Sequence, residues 1–389
     1  MSVTAPKGFL ASGAACGIKP SGAPDLAVVC TEDHHGVPAA AVFTANKARA
    51  APVLVSRAHL EETGGHVAAV VCSSGNANAQ TGREGMDAAE RMCELVAVGI
   101  GCESRQVLVC QTGLIGVVFP VERVETGIPA VVGSLGSSAE HGSAAALAML
   151  TTDTTNKEVV VDGGGFCVGG MAKGAAMLAP NMATMLAVLT TDAGCEPAVL
   201  DRVLRESVSA TFNEMTVDGC CSTNDTVVLL ANGTAGAVSE DELREAVSSA
   251  CAHLAEAMVA DAEGGTKVAM ISVRGAASLS DARVAARQVA TSLLVKCSLN
   301  GGDPYWGRVV SELGASGAAF DPDRVAVSYG GVTVCAGGVA VAHDPVAVSD
   351  HLGGSRVEIG CDLGLGVAEA SMLTCDLGYG YIDENRTTS

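Results

Sequence analysis

The amino-acid sequence predicts an α/β globule of the α+β type, with mixed sheets and helices packed outside them. Three observations carry that reading. Hydrophobic residues make up 48% of the 389 residues, so a sizeable core can be buried, and with aromatics at only 3% it must be filled by Val, Ala, Leu and Met. Short apolar runs rich in β-branched residues recur between turn-like flanks. Amphipathic helices lie between them, but without the strict strand–helix alternation of a parallel doubly wound sheet.

The candidate strands are the runs at 67–72, 107–110, 157–161, 225–231 and 267–273. The clearest helix opens on the capping box Ser239-Glu-Asp-Glu242. Leu243, Ala246, Val247, Ala250, Cys251, Leu254 and Met258 then follow at helical spacing on one face. A second starts at Pro197, a residue suited to the first helical position, with Val199, Leu200, Val203 and Leu204 inward. A third covers about 83–98, with Met86, Met92, Leu95 and Val96 inward, and a fourth begins near Asp281. The segment 133–143 (GSLGSSAEHGS) is the most linker-like, and Gly163 to Gly165 reads as a turn.

Charge and cysteine usage exclude several classes. Lys and Arg total 23 against 43 Asp and Glu, a net charge of −20 that repels phosphate backbones, so nucleic-acid binding is not expected. The 15 cysteines are odd in number, include no C-x-x-C pair and sit among Val and Ala, as at Cys72 and Cys110. They read as small buried hydrophobes in a reducing cytoplasm. The eight histidines show no metal-ligand spacing, so no metal is expected. The N-terminus lacks a basic region followed by a long apolar stretch, and no run approaches a membrane span; the expectation is a soluble, cytoplasmic protein.

The segment Gly169 to Asp192 is the most informative. It is apolar, yet it carries Lys173, a Pro180-Asn181 pair and Thr184 between Ala183 and Met185. From these residues alone, a buried strand after a turn, with Thr184 as an ordinary β-former, is the better reading. Lys173, the one cation in the stretch, suits either a carboxylate ligand or a snorkelling surface position.

The motif K-G-x-x-M-x-x-P-x-x-A-T-M-L, here Lys173 to Leu186, resembles the processing signature of the glutamate N-acetyltransferase family, also called ornithine acetyltransferase. Other motifs of that family stand in order along nearly the whole chain. They are Ser74 to Ala79 with Thr81-Gly82, Thr112 to Gly116, Thr151 to Thr154, Ser222 to Thr226, Asp261 to Gly264 with Thr266-Lys267, Trp306 to Arg308, and Cys375 to Leu377 before Asn385. The resemblance implies a layered αββα sandwich related to N-terminal-nucleophile enzymes, with a second smaller lobe. It also implies a cut between Ala183 and Thr184, giving chains 1–183 and 184–389 that share one catalytic unit in an α₂β₂ assembly.

The implied chemistry is a ping-pong transfer of acetyl from N-acetylornithine to glutamate through an acetyl ester on Thr184, with no cofactor. Many members of the family also accept acetyl from acetyl-CoA, which would be a co-substrate. A threonine hydroxyl needs a base to take its proton. The α-amino group of an N-terminal threonine, with a pKa of about 7.7–8.0, is suited to that work, whereas the same nitrogen in a peptide bond is not. By resemblance, Thr112 and Gly113 form the oxyanion hole, one donor of which is worth about 3 kcal/mol in the transition state. Lys173 meets the substrate α-carboxylate, Thr151 binds substrate, Glu263 meets the substrate amine, and Asn385 folds back into the pocket. Ser389 supplies the last hydroxyl contact in competition with Thr388, because the chain ends Arg-Thr-Thr-Ser389 where the family usually has a Tyr and one more residue. Further departures are Tyr305 before Trp306, Ser73 where Asn is usual, and Cys220-Cys221; they bear on substrate range. Two other readings stand beside the transferase. One is an aminopeptidase or amidohydrolase with the same nucleophile. The other is an uncleaved binding protein, against which Thr184, Lys173, Thr112 and Glu263 argue.

Overall fold

The computed structural model describes residues 2–179 and 185–387. The chain divides into two compact units, one of Met1–Asn213 with Cys220–Met258, the other of Glu214–Gly219 with Val259–Ser389. The boundaries fall away from the linker-like 133–143 segment. Ser138 there precedes a helix, Ala139–Met149, whose Ala145, Ala146, Ala148 and Met149 are buried. Glycine and serine give the segment the look of a spacer, but the alanine run behind them is small enough to pack in the core.

Among the described residues, the first unit holds two sheets. The first runs in the order Phe9–Ala14, Leu26–Thr31, Ala69–Asn76, Val107–Leu114. The second runs His66–Val67, Val37–Phe43, Thr226–Ala237, Leu186–Gly194, Cys167–Lys173, Lys157–Asp162. Strands of the first sheet are buried on both faces, which is why they read as unbroken apolar runs. Their residues alternate between two cores. Ala27, Val29, Val70, Cys72, Leu108 and Cys110 join Ala41, Met171, Val188, Val228 and Leu230 of the second sheet. Leu26, Val28, Val71, Val107 and Val109 instead meet Met92, Val96, Val124 and Ile128 of the helices Gly82–Ile100 and Val121–Gly133. On the far side, Pro197–Ala210 packs over the strand Val37–Phe43 and against Glu240–Ala260, where the Ser207 and Ser248 hydroxyls lie 2.8 Å apart. The layers are therefore helix, sheet, sheet, helix, as expected.

The second unit is a sheet in the order Met215–Thr216, Ala368–Cys375, Val268–Ala276, Arg356–Asp362, Ala326–Tyr329, Val332–Ala336, Val339–Ala340. Its core is built from Ile271, Val327, Ile359 and Met372 with Ala286 and Val289 of the helix Leu279–Thr291 and Val309 and Leu313 of Trp306–Ala315. Both parallel and antiparallel pairings occur in each unit, which is the mixed topology the irregular element order predicts.

The predicted elements stand with shifted ends. The run at 225–231 begins at Thr226 and continues to Ala237 through a register shift after Ala231. Gly163 to Gly165 turn the hairpin between Lys157–Asp162 and Cys167–Lys173. Cys72 and Cys110 lie side by side in the inter-sheet core, where contact with each other and burial push the Cys72 thiol well above its usual range. Among the described residues no helix is long and apolar enough to cross a membrane.

The capping box is closed in both directions. The Glu242 N–H donates to Ser239 Oγ at 3.3 Å and the Ser239 N–H to Glu242 Oε2 at 3.2 Å. Ser239→Ala is expected to cost about 1 kcal/mol, read as a lower urea midpoint with an unchanged slope.

Candidate active site

Thr112 lies within the strand Val107–Leu114, which runs on beyond Cys110, and its side chain is buried against the neighbouring strand at Ser74. The Thr112-Gly113 pair is therefore strand with a register irregularity, four residues longer than the run at 107–110 predicts. Gly113 has φ +131°, and a Cβ built on it would come within 2.3 Å of the Gly75 carbonyl carbon. Only glycine lets the two strand ends approach so closely. The Ser74–Ala79 motif builds the surrounding loop. Ser74 Oγ donates to the Ala148 carbonyl (2.6 Å), Asn78 Nδ2 to Gln111 Oε1 (2.8 Å), and Asn76 Nδ2 to the carbonyl of Val118 (3.1 Å).

Lys173 ends the strand Cys167–Lys173 in the opposing sheet, and its Nζ donates to Thr112 Oγ1 at 3.4 Å within a buried pair. Two residues that stand 61 positions apart are thus brought together across the sheets. An ammonium that occupies an oxygen lone pair leaves the threonine O–H free to donate elsewhere, and polarises it.

Thr151 is half-buried, and its N–H donates to Asp153 Oδ2 at 3.1 Å. Asp153 Oδ1 accepts the Gly174 N–H at 2.7 Å and Lys157 Nζ at 2.6 Å, and the Asp153 and Lys157 side chains are both fully buried. Burial alone would raise the Asp153 carboxyl, but the charges of Lys173 and Lys157 outweigh it and hold the pKa at about 2. Asp153 thereby ties the Thr151 loop to the end of the Lys173 strand. It belongs to a motif the sequence singles out, yet only its spacing four residues before Lys157 hinted at a partner.

Asn224 and Asp225 belong to the Ser222–Thr226 motif. Asn224 Nδ2 donates to the carbonyls of Ala77 (2.6 Å) and Gln111 (2.9 Å), while Asp225 Oδ1 accepts the Met185 N–H at 2.9 Å. Asp225 is fully buried, which pushes its carboxyl well above the usual range against the pull of the Met185 N–H, the Thr44 and Ser222 hydroxyls and the Lys173 charge.

Glu263 and Asn385 belong to the second unit, where Asn385 Nδ2 donates to Glu263 Oε2 at 2.7 Å. Gly264 allows this: a Cβ there would lie 2.1 Å from the Tyr381 nitrogen in the helix Tyr379–Glu384. Asp376 joins two further motifs by accepting the Thr266 and Lys267 N–H groups at 2.7 and 2.9 Å. Tyr305 precedes the helix Trp306–Ala315 and is exposed, with the Arg308 guanidinium over its ring. Ala183, Thr184, Thr388 and Ser389 lie outside the described residues.

Buried charged and hydroxyl side chains that converge from both sheets of a layered α/β sandwich are the groups from which an enzyme site is built. The model of the ArgJ family matches residues 10–387. The arginine biosynthesis bifunctional protein ArgJ of Mycobacterium leprae (strain TN) is 46% identical over 394 residues, covering 100% of this chain and 95% of that one. The protein of the same name from Streptomyces coelicolor is 46% identical over 391 residues and all of both chains. Among solved structures, the ornithine acetyltransferase of Mycobacterium tuberculosis complexed with ornithine shows 42% identity and a TM-score of 0.44, over 46% of this chain and 94% of that one. The chain belongs to the ArgJ family.

The Asp153 pair has a defined acid signature. A carboxyl depressed in the folded state stabilises above its unfolded pKa and loses that contribution as pH falls through the folded value. From 3.8 to about 2, the contribution is about 2 kcal/mol and fades below about pH 4. Asp153→Asn is expected to remove roughly 3 kcal/mol near neutral pH and to flatten the loss on acidification, both measurable by denaturant unfolding at a series of pH values.

Proposed function

We propose that this chain is a self-processing acetyltransferase of arginine biosynthesis that carries acetyl from N-acetylornithine to glutamate on Thr184. The observation that carries the reading is the Lys173 ammonium on Thr112 Oγ1 beside the side-chain-free contact of Gly113 with Gly75. It stands in a chain 46% identical throughout to proteins named for arginine biosynthesis. The Thr112 hydroxyl, with its own proton uncommitted to Lys173, and the Gly113 N–H are the donors for a tetrahedral oxyanion.

In this reading Thr184 attacks the Ala183 carbonyl, and water releases the fragment ending at Ala183. The new α-amino group then serves as base while the same hydroxyl takes acetyl from the donor and passes it to the acceptor. Lys173 holds the substrate α-carboxylate and Thr151 lines the same subsite. Glu263 takes the substrate amine, with Asn385 and Ser389 as further contacts; the Asn385 bond to Glu263 supports that pairing. Acetyl-CoA serves as a second donor, the mature particle is α₂β₂, and the enzyme works in the cytoplasm.

Intact mass and N-terminal sequencing are expected to show two polypeptides, the second beginning Thr-Met-Leu. Thr184→Ala should remain whole and lose transfer, and Thr184→Ser should retain part of both. Ornithine release from N-acetylornithine should depend on glutamate. Equal release with and without glutamate would replace the transferase by a hydrolase with the same nucleophile.

A further inference from the structure

The proposed chemistry contains a gap before the first cut. The mature enzyme has the Thr184 α-amine as base, but in the uncut chain that nitrogen is an amide and accepts no proton. Some other group must take the proton of the Thr184 hydroxyl and deliver one to the departing nitrogen.

The Ser222–Thr226 motif places a candidate there. Asn224 anchors the segment to the Ala77 and Gln111 carbonyls, the latter one residue before Thr112. Thr226 opens the strand that pairs in parallel with Leu186, two residues beyond Thr184. Between them, Asp225 is held by both its backbone and its side chain. Its carbonyl accepts the Thr44 N–H at 2.9 Å and its Oδ1 accepts the Met185 N–H at 2.9 Å. Met185 N is bonded directly to residue 184, so this carboxyl sits one peptide from the residue that must react. The second oxygen, Oδ2, is completely buried and makes no hydrogen bond of sound geometry to a described residue, although the Thr44 and Ser222 hydroxyls lie near enough to favour the charged carboxylate. An orphaned buried oxygen is costly and calls for a reason in the function of the site. The other titratable groups within electrostatic reach are Lys173 and the Cys221 thiol.

We infer that Asp225 is the proton-transfer group of self-cleavage, an inference that rests on Thr184 being the self-processing nucleophile. The Thr184 hydroxyl adds to the Ala183 carbonyl carbon as its proton passes to Asp225 Oδ2. The Ala183–Thr184 C–N bond breaks as that proton moves to the departing nitrogen, leaving an Ala183 ester on Thr184 Oγ and an amine on Thr184. Water then adds to the ester carbonyl, the C–O bond breaks, and Oγ recovers a proton. One water is consumed and Asp225 returns to its starting state. Oδ1 meanwhile fixes the peptide that follows the nucleophile. A carboxyl raised by burial is a stronger base than a solvated one, and it can hold the proton long enough to return it.

The test is the cleavage half-time of the full chain in cell-free translation, read by gel and intact mass, for the unaltered sequence, Asp225→Asn and Thr184→Ala. Asp225→Asn keeps an acceptor for the Met185 N–H but cannot carry the proton. It is expected to slow cleavage at least about 100-fold while keeping the circular dichroism and melting curve of the Thr184→Ala precursor. Cleavage of Asp225→Asn within about threefold of the unaltered rate overturns the inference. Should that variant not fold, unaltered precursor purified rapidly and diluted into buffers of rising pH decides. Cleavage that accelerates with pH and then levels supports a carboxylate base, and a flat profile overturns it. Failure of the Thr184 reading looks different: Thr184→Ala is then cut, or the unaltered chain is not.

Discussion

The side-chain amide of Asn224 spans the interval between the two sheets of the first unit, donating to two carbonyls on the Ala69–Asn76 and Val107–Leu114 side while its own segment leads into the strand Thr226–Ala237. Sheet-on-sheet packing through Val, Ala and Cys side chains is non-directional and would tolerate sliding. A two-pronged amide is directional, and its geometry sets how far the strand end bearing Thr112 lies from the strand pair that carries Lys173 and follows Thr184. The Lys173 contact to Thr112 depends on that separation, while the Asp225 contact to Met185 lies within the second sheet, between its adjoining strands. The glycine approach of Gly113 to Gly75 serves the same end, since any side chain there would push the two strand ends of the first sheet apart.

Much of this architecture was legible in the sequence. Double-sided burial leaves continuous apolar runs, so the strands near Val70, Val109 and Val228 stand out, and the capping box at Ser239 marks a helix start that the hydrogen bonds reproduce. Strand ends were less legible, because Gln111 to Leu114 carry polar and glycine residues that look like a turn while remaining paired. The helix Ala139–Met149 was hidden because small residues signal a linker locally and tight packing only in three dimensions.

The site residues divide the same way. Lys173 could be singled out as a lone cation, but its partner 61 positions earlier could not. Asp153, Asn224 and Asp225 sat inside motifs that were visible, although their work is to hold backbone groups from distant segments. A side chain that binds a remote N–H or carbonyl leaves no periodicity and no charge pattern along the chain. In the second unit, the link between Glu263 and Asn385 depends on Gly264 admitting the C-terminal helix, a steric condition rather than a compositional one.

The strand Leu186–Gly194 lies inside its sheet, laddered on one side to Cys167–Lys173 and on the other to Thr226–Ala237. Those neighbours come from opposite sides of the proposed cut. A chain severed between Ala183 and Thr184 is therefore still stitched along both flanks of the Leu186–Gly194 strand, and the six-stranded sheet is shared between the two fragments. Splitting its gene at the same point would ask the two halves of that one sheet to find each other in solution, a search that the uncut chain never has to make.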